Sequence, residues 1–163
     1  MPLGFDRVIH SLKDHQVDFV IIGANAAIAH GAPIGTIDLD ICYRRTKANV
    51  TRLVEALLPF NPRLRGVTED LPFHFKAETV ERGCNFTFAT DVGDIDILGH
   101  VTGLGGFDPI SARAVSVRMF GCDVLVMALD DVIKSKKAAG RVKDKAQLPV
   151  LEETLRQRNG TAT

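Results

Sequence analysis

Residues 17–43 constrain the fold more than any other stretch of the chain. Residues 17–22 are almost wholly apolar, as a strand buried on both faces of a sheet must be. Gly23 breaks that run, alanine-rich residues 24–30 favour a short helix, and Gly31 and Pro33 end it. A second strand, residues 37–43, carries Asp38-Leu39-Asp40. Side chains two apart on a strand share a face, so the two carboxylates project together while Ile37, Leu39 and Ile41 turn toward the core. Their Cβ atoms are separated by two strand rises, roughly 6.5 Å, a spacing from which two hard oxygen ligands converge on Mg²⁺ or on a pair of such ions. The glycine before them lets a bulky anion approach the backbone.

The rest of the chain alternates helix and strand. Phe5, Val8, Ile9 and Leu12 recur at helical spacing and predict an amphipathic helix over 5–15. Thr46 suits the N-cap of a helix running to about residue 58, with Val50, Leu53, Val54 and Leu57 on one face and Pro59 ending it. Strands are predicted over 73–75, 85–89, 94–98, 115–120 and 124–127, with a hairpin at Gly121-Cys122. Asp130 or Asp131 opens a helix through Ala139 and Gly140 stops it. A last helix spans about 143–157, before a polar tail, 159–163, that should fray. With no repeat, low-complexity block or linker, the expectation is one α/β domain over 1–163, a mixed, twisted sheet flanked by helices.

Composition excludes little. Twenty Lys and Arg balance twenty Asp and Glu, so no whole-molecule field steers the chain toward nucleic acid, although local basic clusters remain available. Cys42, Cys84 and Cys122 are odd in number, widely spaced and set in apolar runs, so they read as small buried hydrophobes in a reducing cytosol. No run approaches the ~18 apolar residues of a membrane span, and the N-terminus lacks the apolar core of a signal peptide. Cytoplasm is the expected compartment.

The order of strand, Gly23-Ala24, short helix, Asp38-Leu39-Asp40 strand and later acidic strand Gly93-Asp94-Ile95-Asp96-Ile97-Leu98 resembles the nucleotidyltransferase superfamily typified by DNA polymerase beta. More narrowly, it is similar to the minimal nucleotidyltransferases, including domains of the AbiEii toxin type. The resemblance covers about residues 17–151 and includes Gly103-Leu104-Gly105 and the stretch 129–144, where a helix, a Gly-Arg break and a Lys-Asp pair opening the next helix follow in turn.

That resemblance implies the nucleotidyltransferase fold. It implies transfer of an NMP group from an NTP, ATP among them, to an acceptor hydroxyl, with Mg²⁺ or Mn²⁺ as cofactor and pyrophosphate released. Asp38 and Asp40 would hold the metals that carry the triphosphate, and Asp96, from a neighbouring strand, would complete the metal set and help activate the acceptor. Backbone N–H groups of Gly23 and Ala24 would take the β,γ-phosphates. The acceptor stays open among RNA, a protein side chain and a small molecule. A toxin–antitoxin or phage-defence role with a cognate partner protein follows by analogy.

Alternatives accompany each residue. Asp94 shares the face of Asp96 on a regular strand, so periodicity does not choose between them; the resemblance favours Asp96. An isolated Asp-x-Asp also reads as two solvated acids at a strand end. The basic run Lys134, Lys136, Lys137, Arg141, Lys143 and Lys145 reads either as a solvated helix face or as a triphosphate or RNA-backbone contact. Helical spacing puts Lys136, Lys137 and Gly140 near one face, which makes Lys137 and Arg141 the candidate nucleotide contacts. Many relatives carry Gly-Gly or Gly-Ser where this chain has Gly23-Ala24, and an arginine where Gly35 stands. Those departures keep a second reading in play, a catalytically inactive nucleotide- or partner-binding module on the same fold. The five histidines show no metal-ligand spacing, and Phe73, Phe75, Phe86 and Phe88 follow strand alternation and belong to the core.

Overall fold

A computed structural model describes residues 4–67 and 73–161. Its strands are β1 (Phe19–Ile21), β2 (Asp38–Tyr43), β3 (Arg63–Leu64), β4 (Asn85–Thr90), β5 (Gly93–Leu98), β6 (Val115–Met119) and β7 (Cys122–Val126). Its helices are α1 (Phe5–Asp14), α2 (Gly23–Ala29), α3 (Lys47–Leu57), α4 (Ala77–Arg82), α5 (Phe107–Arg113), α6 (Leu129–Ala139) and α7 (Val142–Thr161). The strands form one mixed sheet in the order β3-β4-β5-β2-β1-β7-β6, flanked by the helices.

The apolar run predicted to be central is central. β1 is buried along its length, antiparallel to β2 on one side and parallel to β7 on the other. Buried Asn49 fixes where β1 enters and β2 leaves the sheet: its Oδ1 accepts from Asp18 N, and its Nδ2 donates to the carbonyls of Asp18 and Arg44. Beside it, the Thr46 side chain accepts from Asn49 N and caps α3, as its position in the sequence predicts.

The pairing that matters for function joins β2 and β5. They run parallel, with Asp38 opposite Asp94, Leu39 opposite Ile95, Asp40 opposite Asp96 and Ile41 opposite Ile97. Leu39, Ile41, Ile95 and Ile97 are buried in the core, so strand alternation sends all four aspartates to the other face. The β6–β7 hairpin turns through Phe120 and Gly121, both at positive φ, as a two-residue hairpin requires. Gly140, at φ 65°, ends α6 and frees the chain to start α7.

Several expectations are corrected. Ile37 is 76% exposed and outside the core, because ladder pairing begins at Asp38 and the Thr36 hydroxyl bonds the Asp38 backbone just before it. Residues 73–75 form no strand; Phe73 and Phe75 instead lay their rings against Phe88, with centroids 5.9 and 5.1 Å away. The edge position beside β4 belongs to β3, a two-residue strand with no sequence pattern to announce it. Helices α4 and α5 are likewise additions. Helix α7 carries Pro149 inside it and continues to Thr161, past the predicted end at 157, while residues 162–163 of the expected tail lie outside the described residues. Cys42 is buried, whereas Cys84 and Cys122 are half-buried, and all three are free thiols. No helix among the described residues is long and apolar enough to cross a membrane.

Candidate active site

The parallel register sets Asp40 directly against Asp96 at the strand spacing of about 4.8 Å. Two carboxylates so close in a partly dehydrated place do not both ionise at little cost. Burial, the charges of Asp96 and Asp38, and a hydrogen bond shared with Asp96 push the Asp40 carboxyl up to about 7. Burial also raises Asp96, against the pull of Arg65. Asp38 Oδ1 and Asp40 Oδ1 are buried and have no hydrogen-bond partner. Buried polar atoms in native proteins are nearly always paired, so an orphaned pair on one face is exceptional and carries the cost of unpaired burial.

Gly23, where α2 begins, is shaped by this face. It sits at φ 65°, and a Cβ there would stand 2.7 Å from Asp40 Oδ2, so both conformation and space demand glycine. Asn25 Nδ2 donates to the Asp38 carbonyl at 2.6 Å and ties α2 to β2.

Asp38 and Asp40 line a cavity of about 730 Å³. Gly23, Ala24 and the 35–37 loop form one part of its wall, and Lys136, Arg141 and Lys143 bring positive charge to it. Lys143 acts on Asp40 across this space, lowering a pKa that the other groups raise. Of the predicted nucleotide contacts, Gly23, Ala24 and Arg141 therefore meet at the cavity. Lys137 does not line it; its ammonium pairs with Glu152 at 3.1 Å, on the surface shared by α6 and α7. Asp96 stands beside Asp40 rather than on the cavity wall.

A buried carboxylate organises the basic wall. Asp144, 0% exposed, accepts from Arg141 Nε at 2.7 Å and from the Arg141 backbone, and lies 3.6 Å from Lys136 Nζ. Burial alone would raise its pKa, but the Arg141 bonds and the Arg141 and Lys136 charges outweigh that and hold it below the ordinary carboxylate value.

Arg65, just beyond β3, is a residue of the carboxylate face that sequence reasoning misses. Its Nη2 is 3.0 Å from Asp96 Oδ1 and its Nη1 3.3 Å from Asp94 Oδ2. The only hint in the sequence is that Arg63 and Arg65 are two apart in an extended stretch. Nothing local says that this stretch would pair beside the acidic strand.

The donor set fits a hard divalent cation: carboxylates on one face, two of their oxygens orphaned and buried, opposite a basic wall. As the side chains lie, no three His, Cys, Asp or Glu among the described residues are close enough together to hold one.

Comparison with known proteins agrees with this architecture. A candidate nucleotidyltransferase from Thermotoga maritima superposes with a TM-score of 0.59 at 17% identity, over 96% of this chain and 91% of that one. The lincosamide antibiotic adenylyltransferase LnuA, in its lincomycin-bound structure, gives 0.61 at 8% identity, over 94% and 98%. ANT(2'')-Ia, in complex with adenylyl-2''-tobramycin, gives 0.60 at 11% identity, over 93% and 87%. No protein-family model matches the chain, and no curated protein matches it by sequence. The chain shares its fold with these three proteins.

Proposed function

We propose that this protein is a nucleotidyltransferase that moves an NMP group from an NTP to an acceptor hydroxyl, with Mg²⁺ or Mn²⁺ as cofactor. The acceptor oxygen bonds to the α-phosphorus, the bond from that phosphorus to the bridging oxygen of pyrophosphate breaks, and the hydroxyl proton passes to a base. The observation that carries the reading is the orphaned pair of buried carboxylate oxygens, Asp38 Oδ1 and Asp40 Oδ1, at the floor of a cavity with a basic wall.

Asp38, Asp40 and Asp96 would hold the metal, which when bound supplies charge neutralisation at the phosphates. Arg141 and Lys143 would bind the triphosphate, and Asp144 would keep the Arg141 guanidinium turned in one direction. Gly23 and Ala24 would leave room for phosphate beside Asp40. Asp96, next to Asp40 in the strand register, would accept the proton of the acceptor hydroxyl.

Small-molecule hydroxyls are the first acceptors to try, since two proteins of this fold are an antibiotic adenylyltransferase and one seen with an adenylylated aminoglycoside. RNA ends and protein side chains follow. A toxin–antitoxin or defence role with a cognate partner protein rests on the sequence resemblance alone. A second reading, a nucleotide- or partner-binding module without turnover, draws on the hold of Arg65 on Asp96, which commits the third carboxylate to a guanidinium.

The test is incubation with Mg²⁺ and each α-labelled NTP against aminoglycosides, lincosamides, total RNA and the protein itself. Label transfer with pyrophosphate release, abolished in Asp40→Asn, is the expected result. Metal-dependent NTP binding without transfer to any acceptor favours the module, and metal-independent behaviour throughout overturns both readings.

A further inference from the structure

Arg65 divides the four aspartates into two unequal pairs. Its guanidinium bridges the β5 pair, Asp94 and Asp96, while Asp38 Oδ1 and Asp40 Oδ1 on β2 have no partner. The arginine is itself held by the sheet: its backbone N–H donates to Thr87 O at 3.0 Å, and Nη1 reaches Phe88 O at 3.5 Å. Asp96 thus faces two ways, toward Asp40 across the strand pair and toward Arg65 at the other side.

We propose that Arg65 is a positioning residue that serves as resident counter-cation of Asp96, neutralising it beside Asp40 until a divalent cation drawn to Asp38 and Asp40 takes it over. This rests on the metal-site reading given above. A monovalent guanidinium, its side chain a third exposed and shared between two carboxylates, holds each of them weakly. A divalent ion meeting three carboxylates has twice the charge and shorter contacts, so it wins the exchange once bound. Because Asp96 has first to be released, Arg65 weakens the affinity for metal alone. Asp94 gives the guanidinium a partner to stay on when Asp96 leaves, which assigns Asp94 and Asp96 different roles on one face.

The experiment is Mn²⁺ binding without nucleotide, read by electron paramagnetic resonance of the free ion, for wild type, Arg65→Met, Arg65→Lys and Asp40→Asn. Expected is Mn²⁺ binding about three- to tenfold tighter in Arg65→Met, with Arg65→Lys in between, because lysine keeps the charge and loses the two-pronged grip. Asp40→Asn should weaken it. Arg65→Lys, the gentler change, carries the test if Arg65→Met fails to fold. Unchanged or weaker binding in Arg65→Met overturns the proposal, as does Arg65→Lys equal to wild type, since charge alone would then explain the effect. Those results leave the metal site standing if Asp40→Asn still weakens binding. Mn²⁺ binding that is absent, or indifferent to Asp40→Asn, removes the metal reading and this inference together.

Discussion

Asp40 and Asp144 are both carboxylates taken largely out of water at the edge of one cavity, and the fold treats them in opposite ways. Asp144 has a guanidinium, a backbone N–H and an ammonium around it, and its pKa lies below the ordinary value. Asp40 has two further carboxylates around it and an oxygen with no partner, and its pKa rises to about 7. Burial works in the same direction at both, so the supply of partners decides the outcome. A satisfied buried charge is a structural joint, here between α6 and α7. An unsatisfied cluster carries an unfavourable electrostatic energy, and carboxyls perturbed in this way concentrate at functional sites.

The largest expected effect follows from that contrast. Asp40→Asn keeps the shape and removes a charge that the proposed metal would need, so under the proposed function nucleotide transfer should fall roughly a hundredfold or more while the protein still folds. Transfer assays beside circular dichroism check both halves. Wild-type turnover in this variant would make Asp40 no more functional than Asp144.

Asp144→Asn should do the reverse. It leaves Lys136 buried without its counter-charge and loosens Arg141, and breaking such a pair costs about 3 kcal/mol, or roughly 6–12 °C in Tm for a chain of this size. Thermal melting measures it directly. A Tm within a degree of wild type would show that the network is not a joint.

The pH dependence of stability separates the two further. A carboxyl with a raised folded pKa stabilises the fold below its ordinary 3.8 and loses that contribution as pH rises toward about 7. Asp144, depressed, contributes above the ordinary value and loses its contribution as pH falls through the lower folded one. In the absence of metal, Asp40→Asn should therefore melt higher than wild type at pH 7.5 and lose that advantage by pH 4, whereas the deficit of Asp144→Asn should shrink only at more acidic pH. Melting curves across pH 3 to 8 give both signs.

How far the sequence reaches is clear from the same residues. Alternation along Asp38-Leu39-Asp40 fixes the face, and the glycine at 23 fits its place against Asp40. These are local properties, set within a few residues of chain. Register is not local: Asp40 opposite Asp96, and Arg65 arriving beside β5, depend on contacts 56 and 31 residues apart. Ile37 was expected in the core by alternation alone, and the place where pairing starts overrides it. Lys137 shows the limit of helical spacing, since one face of α6 serves both the cavity, through Lys136, and the contact with α7 at Glu152.

Smaller effects are expected on the basic wall. Lys143→Ala removes a cation that faces Asp40 and should weaken NTP binding about three- to tenfold with little change in Tm. Lys137→Ala should change NTP affinity by less than about twofold, because its partner is Glu152. Calorimetric titration with each NTP in Mg²⁺ ranks the two, and a larger loss at Lys137 would move the triphosphate off the cavity described above.

The contrast between the two carboxylates is tested most directly by following both in one sample. Carboxyl ¹³C chemical shifts of Asp40 and Asp144, titrated with and without Mg²⁺, should show Asp40 with a midpoint of about 7 in the absence of metal and a fall toward the ordinary carboxylate range when Mg²⁺ is added. Asp144 should titrate below that range and ignore the metal. An Asp40 that titrates as an ordinary carboxylate and does not respond to Mg²⁺ would contradict the account, because the cluster would then be neither strained nor a place for a cation.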